Sequence, residues 1–153
     1  MLGKVKNWLG IEGVKMEIET AERIRLMDGV VKGTILLQSM TDKKVKNIKI
    51  DLIEKYTRGR GKNKLINEYT LGTLEIKDHF EIRANGQLRL DFKLLFNPKT
   101  SAMDDLGRNL LLRGPVALAK MLKGASSIYR LEVEAKVPGT ALHPMAKKVI
   151  NFY

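Results

Sequence analysis

The 153-residue chain has no cysteine, two histidines and four prolines. Without thiols, neither a disulfide framework nor a thiolate metal site can form. His79 and His143 stand far apart in the chain, and two isolated imidazoles do not make a metal centre. No apolar run is long enough to span a bilayer, and the opening MLGKVKNWLGIEG lacks the unbroken apolar stretch of a signal peptide. A cytoplasmic location is therefore the expectation. Aromatics make up an ordinary 6%, but Phe92, Phe96, Tyr129 and Tyr69 occupy core-phase positions, leaving Tyr56 as the main ring that could stack on a nucleobase. Acidic residues are also in short supply: 17 Asp and Glu face 28 Lys and Arg, a net charge of +11. Such an excess favours anionic partners and also keeps a protein dispersed.

Catalytic signatures are missing too. No G-x-S-x-G nucleophile elbow occurs. Gly59-Arg60-Gly61-Lys62 is not a phosphate-binding Walker loop: Tyr56 stands where the first glycine belongs, and Asn63 follows the lysine in place of Ser or Thr. Glu17 and Glu19 alternate with Val14, Met16 and Ile18, so they read as the wetted face of a strand rather than an acid–base pair. The expectation is a non-enzymatic chain without cofactor or metal.

What the sequence has in abundance is period-two alternation. Leu88, Leu90, Phe92, Leu94 and Phe96 occupy every second position, and Tyr129, Leu131, Val133, Ala135 and Val137 do the same. Successive strand side chains point to opposite faces, so each segment buries one face and wets the other. Further strands are expected from Val14, over Val31–Leu37, over Val45–Tyr56, over Leu65–Lys77, at Phe80–Ile82 and over Lys147–Phe152. Asp28-Gly29 and Ala84-Asn85-Gly86 are turn signals, and Gly33 inside a strand marks a bulge or a close backbone approach. Between Leu65 and Lys77 the apolar phase changes from odd to even positions, which calls for a bulge at Gly72. Helical grammar is confined to a short amphipathic turn over residues 2–9, with Trp8 as a core plug, and to an insertion at residues 103–123. There Pro115 opens and Gly124 closes a helix. The fold class is all-β: one domain over residues 1–153, a sandwich of two antiparallel sheets.

In this order the motifs resemble the arrestin-like fold and, within it, the bacterial sporulation-control protein family. The likeness runs from Gly10-Ile11-Glu12-Gly13 through Gly33-x-Ile35-x-Leu37 and Ile48-x-Ile50-x-Leu52 with Glu54 and Tyr56. It continues through Tyr69-Thr70-Leu71, the Leu90-to-Phe96 strand, Tyr129-x-Leu131-x-Val133 and Pro144 to Phe152. In the family a proline directly follows the last apolar residue of the strand, whereas here Asn97 precedes Pro98; the helical insertion is a second departure. Full arrestins carry two such sandwiches, and this chain has room for one. The resemblance implies a protein-binding adaptor that works through sheet edges and end loops, with a role in sporulation or cell-stage control.

Two surface features are candidate sites. Arg58, Arg60, Lys62 and Lys64 crowd a glycine-punctuated loop, where they either grip carboxylates and phosphates or simply form a solvated turn that discourages edge-to-edge association. Val116, Ala119 and Leu122, with Lys120 and Lys123, form a helix that is either a lid on the sandwich or a docking element. Residues 43–64 carry a net +7, but Lys43, Lys44 and Lys46 lie at the far end of the same strand. Twelve strand residues place the two groups roughly 35–40 Å apart, so they are separate sites or none. Partner proteins are the preferred ligands, with homodimerisation by edge pairing as one form; anionic membrane or nucleic acid ranks behind them.

Overall fold

The computed structural model describes residues 13–59, 62, 64–97, 126–139 and 142–153. The expected turn at residues 2–9 and the insertion at 103–123 lie outside these described residues. Eight strands are described: β1 (Val14–Thr20), β2 (Arg23–Ile24), β3 (Val30–Ser39), β4 (Lys43–Arg58), β5 (Leu65–Ile82), β6 (Gly86–Leu95), β7 (Ser126–Lys136) and β8 (Met145–Phe152). They form a three-stranded sheet in the order β1-β3-β6 and a five-stranded sheet in the order β2-β8-β7-β4-β5. Every pairing is antiparallel except the two-residue β2, which runs parallel to β8.

Alternation builds the core as expected. Val31, Ile35 and Leu37 of β3 pair with Leu94, Leu90 and Leu88 of β6, and this row faces Ile48, Ile50 and Leu52 of β4 with Leu131, Val133 and Ala135 of β7. Burying such side chains contributes about 1.5–3 kcal/mol each, which is what drives the two sheets together. Lys148 of β8 sits in the inward phase but donates its Nζ to the Ile18 carbonyl of β1 at 3.4 Å, tying the sheets at that margin. Leu36 and Ile53 are buried on outer faces, apart from the core cluster.

Turns form where the residues allow them. Gly29 takes φ 63° to close the 3-10 turn Leu26–Asp28, its N–H reaching the Leu26 carbonyl. Asn85, at φ 62°, turns β5 into β6, and the carboxylate of Asp42 fastens that turn by accepting the Ala84 N–H at 2.7 Å.

Several expectations need correction. The segment read as two strands, Leu65–Lys77 and Phe80–Ile82, is one strand, because a register shift absorbs the break: Asp78 and His79 face Lys46 alone. The basic loop is shorter than expected, since β4 continues through Arg58. The strand β2 is not legible in the sequence, being a two-residue bridge with no alternation to betray it. Gly33 marks a close approach rather than a bulge, because its pairings with Thr20 and Phe92 are both in register.

Candidate functional site

The β4–β5 hairpin holds the candidate site. Its strands are 16 and 18 residues long, whereas β3 and β6 have 10 each. The carbonyl of Leu95, at the end of β6, lies against Gly72 of β5. Beyond that contact Leu65, Ile66, Asn67 and Glu68 are all exposed. Four consecutive exposed strand residues mean that both faces of β5 are wet here, while Tyr56, Thr57 and Arg58 opposite them on β4 are half-buried. β5 is also the last strand of its sheet, so one side of its backbone has no sheet partner among the described residues.

Arg58 ends β4 at this tip, paired in register with Leu65. Lys62 and Lys64 lie in the connection, and Arg60 lies outside the described residues. No ion pair among the described residues engages Arg58, Lys62 or Lys64. Leu65 and Ile66 are about half exposed (54% and 49%), so the tip is amphipathic rather than merely cationic. Ile128, 53% exposed, lies on the outer face one strand further in, opposite Lys55. Alternation on one strand gives no sign of this grouping, which the register of three strands creates. The helix candidates Val116, Ala119, Lys120, Leu122 and Lys123 lie outside the described residues.

Just inside the tip, Glu54 continues the inward row of β4 after Leu52 and is fully buried. Its Oε2 accepts hydrogen bonds from Ser127 Oγ at 2.7 Å and Tyr129 Oη at 3.3 Å, while Oε1 has no partner. Tyr129 packs edge-on against Phe152, which in turn contacts Phe96. Burial, the charge of Glu54 and the hydrogen bond to it push the Tyr129 phenol up to about 12. A buried carboxylate with half its acceptors unmet is costly, so it is a polar node rather than packing.

On the outer face Arg130 spans β4, donating Nη2 to Glu68 at 3.0 Å and Nε to Glu132 at 2.9 Å. Burial alone would raise Glu132, but the hydrogen bond and charge of Arg130, with Lys147 beside it, hold that carboxyl below its ordinary range. The Arg130 guanidinium is raised above its ordinary value by the hydrogen bond to Glu132 first and then by Glu68, against the opposing effect of burial. Arg130 stands opposite Ile53 in register, which accounts for a buried isoleucine on an outward face.

The site combines an open backbone edge, cations with no ion pair among the described residues, and exposed aliphatic side chains. Among the described residues no group of three His, Asp or Glu side chains could hold a metal ion. No helix among them is long and apolar enough to cross a membrane.

Two facing antiparallel sheets, with the long hairpin projecting at one end, define an arrestin-like sandwich. The family model described as SpoOM protein matches residues 2–119, and the chain belongs to this Spo0M family. Among solved structures it is similar to that of Spo0M, sporulation control protein, from Bacillus subtilis, with a TM-score of 0.63 at 12% identity. That match covers 94% of this chain and 50% of the other, so the chain spans half the length of the protein it resembles. Among curated proteins none matches.

Proposed function

We propose that this chain is a non-enzymatic adaptor whose partner proteins dock on the tip half of β5, with the cations of the β4–β5 connection as a second point of contact. The observation that carries this reading is the run Leu65–Glu68, exposed on both faces of a strand that ends its sheet. Natural sheets usually cover, bulge or charge such an edge, and here only Glu68 among these four residues is charged. An extended partner segment would gain main-chain hydrogen bonds along it, with Arg58, Lys62 and Lys64 selecting by charge. A second copy of the chain is one such partner. Membership of the Spo0M family, and the sporulation control for which the Bacillus subtilis protein is named, favour a regulatory protein acting in the cytoplasm.

The test is capture from native lysate on immobilised wild-type chain and on Leu65→Lys/Ile66→Lys, with thermal melting to show that the variant is folded. A defined protein held by the first and released by the second is the expected result. Identical capture by a folded variant rejects the edge. Sedimentation showing a strict monomer at high concentration removes the homodimer.

A second reading, contact with an anionic membrane surface, is favoured by the exposure of Leu65 and Ile66 beside Arg58. It predicts sedimentation with anionic vesicles that weakens steeply as salt rises, and no binding at low salt rejects it.

A further inference from the structure

The opposite end of the hairpin carries a different feature. At the register shift near Val45, Lys46 alone faces Asp78 and His79, so the ladder is interrupted and side chains are re-aimed around the gap. Asn47 then resumes pairing, with Lys77 directly opposite on β5 and Lys136 directly opposite on β7. Side chains directly opposite on adjacent strands share a face with Cβ atoms about 4.5–5.5 Å apart, so the two lysines flank Asn47 on either side. Lys46, Asn47, Lys77, Asp78, His79 and Lys136 line a concavity of about 300 Å³, at the small end of ligand-sized cavities.

The charges there are unbalanced. Lys77 has Glu75 at 3.5 Å, but no ion pair among the described residues engages Lys46 or Lys136. Three lysines face a single carboxylate, that of Asp78, among the lining groups, so the concavity keeps a positive excess that favours an anion. A second observation narrows the anion. Asn47 Oδ1 is buried and receives no hydrogen bond. It is an acceptor, so a bare anion cannot satisfy it; the occupant must also carry a donor. Asp78 supplies another acceptor at the wall, one oxygen of which already takes the His79 N–H at 2.8 Å.

From this arrangement we infer an anion-binding site for a phosphate group bearing or adjoining a hydroxyl. The phosphate oxygens lie among Lys46, Lys77 and Lys136, and the hydroxyl donates to Asn47 Oδ1 once the amide, closed off in the empty concavity, turns toward it. A free sugar- or polyol-phosphate and a phosphorylated polyol lipid headgroup share this chemistry. The site stands at the other end of the hairpin from the protein-docking edge and does not depend on it.

The experiment is titration of the full chain, followed by calorimetry and by backbone amide shifts, with glycerol 3-phosphate, inorganic phosphate and sulfate. Glycerol 3-phosphate should bind tightest and sulfate, which offers no donor at neutral pH, weakest, with shifts centred on Lys46, Asn47, Lys77, His79 and Lys136. Lys46→Gln/Lys136→Gln removes two exposed cations without touching the core and should weaken phosphate binding by about tenfold or more. Arg58→Gln/Lys64→Gln should leave it unchanged. Phosphatidylcholine vesicles with and without a phosphoinositide separate the sources: binding only to the phosphoinositide vesicles assigns a headgroup, and binding to the soluble ester alone assigns a metabolite. Equal affinity for sulfate and glycerol 3-phosphate, undiminished binding by the lysine variant, or shifts at the Arg58 tip instead would each overturn the inference.

Discussion

Replacing Gly33 by alanine tests how the three-stranded sheet is closed. The added Cβ would lie 2.6 Å from the Glu19 carbonyl oxygen of β1 and 2.7 Å from Cζ of Phe92 on β6. Both distances are below ordinary contact, and the two obstacles differ. The Phe92 ring can tilt, but it is buried in the core and pushes on its neighbours when it does. The carbonyl belongs to backbone paired with β3, so relieving it means splaying β1 from β3 near Thr20, where the register pairs Thr20 with Gly33. Overpacking of this kind costs about 1–3 kcal/mol, and two simultaneous contacts argue for the upper half of that range. Loss of glycine's freedom in the unfolded chain returns roughly 0.4–1 kcal/mol. The net expectation is destabilisation of about 2 kcal/mol, or a fall in melting temperature of some 4–8 °C for a domain of this size. Urea unfolding of Gly33→Ala, Phe92→Leu and the double variant measures it. Shrinking the ring should recover part of the loss but not all, because the carbonyl remains. A neutral or stabilising Gly33→Ala would refute the close approach.

The polar node and the Arg130 clamp make further predictions. Ser127→Ala leaves Glu54 with only the longer Tyr129 hydrogen bond and should destabilise by ~1.5–3 kcal/mol in denaturant, with Ser127→Thr restoring most of it. Tyr129 should ionise near pH 12 rather than 10, read as the phenolate absorbance missing from Tyr129→Phe. Because the folded state holds that proton more tightly than the unfolded one, its contribution to stability is complete below pH 10 and disappears as pH rises through 12; stability that rises across that window would contradict the buried placement. Glu132 behaves in the opposite sense: its carboxyl is held low by Arg130, so its contribution is present above the ordinary glutamate range and lost as acid protonates it. Arg130→Met should therefore reduce the stability difference between neutral and acidic pH, and an unchanged pH profile would remove the clamp.

Alternation carried most of the fold because burial on one face leaves a mark every second residue. It marks the alternate residues of Leu88–Phe96 and Ile48, Ile50 and Leu52 as pointing inward, and the phase change near Gly72 shows as a shift from odd to even positions, but the burial of Val45, out of phase with Ile48 across a register shift, leaves no such sign. It could not show that Asp78 and His79 interrupt a strand without ending it, since polar residues at a register shift look like a turn. The sites were harder still. Arg58, Lys62 and Lys64 stood out as a charge run, but Lys77 and Lys136 are isolated in sequence and meet Lys46 only through pairing across three strands. Glu54 was visible as part of a family pattern, yet its burial depends on Ser127 and Tyr129, more than seventy residues away.

Register is therefore the quantity on which both ends of the hairpin depend, and it can be tested by deletion. At the irregularity between Leu52 and Ile53, Leu52 pairs with Gly72 and Ile53 with Thr70, so Leu71 is the residue without a counterpart. Deleting Leu71 keeps every one of those pairings: Tyr69 stays opposite Glu54, and Leu74 stays opposite Ile50. What is lost is the partial burial of Leu71 against the core, no more than about 1.5–3 kcal/mol. Deleting Glu75, only four residues on, has a different consequence. Leu74 moves to the outer face opposite Lys49, and Thr73 turns inward opposite Ile50, before the surplus residue at 71 absorbs the slip. That exposes a core-packed leucine and also buries a hydroxyl, at about 1–3 kcal/mol for the unpaired hydroxyl alone. The deletion of the exposed, charged residue should thus be the more damaging of the two, the reverse of what burial predicts position by position. Comparable melting temperatures for the two deletions, or a greater loss for Leu71, would show that β5 does not carry its spare residue there.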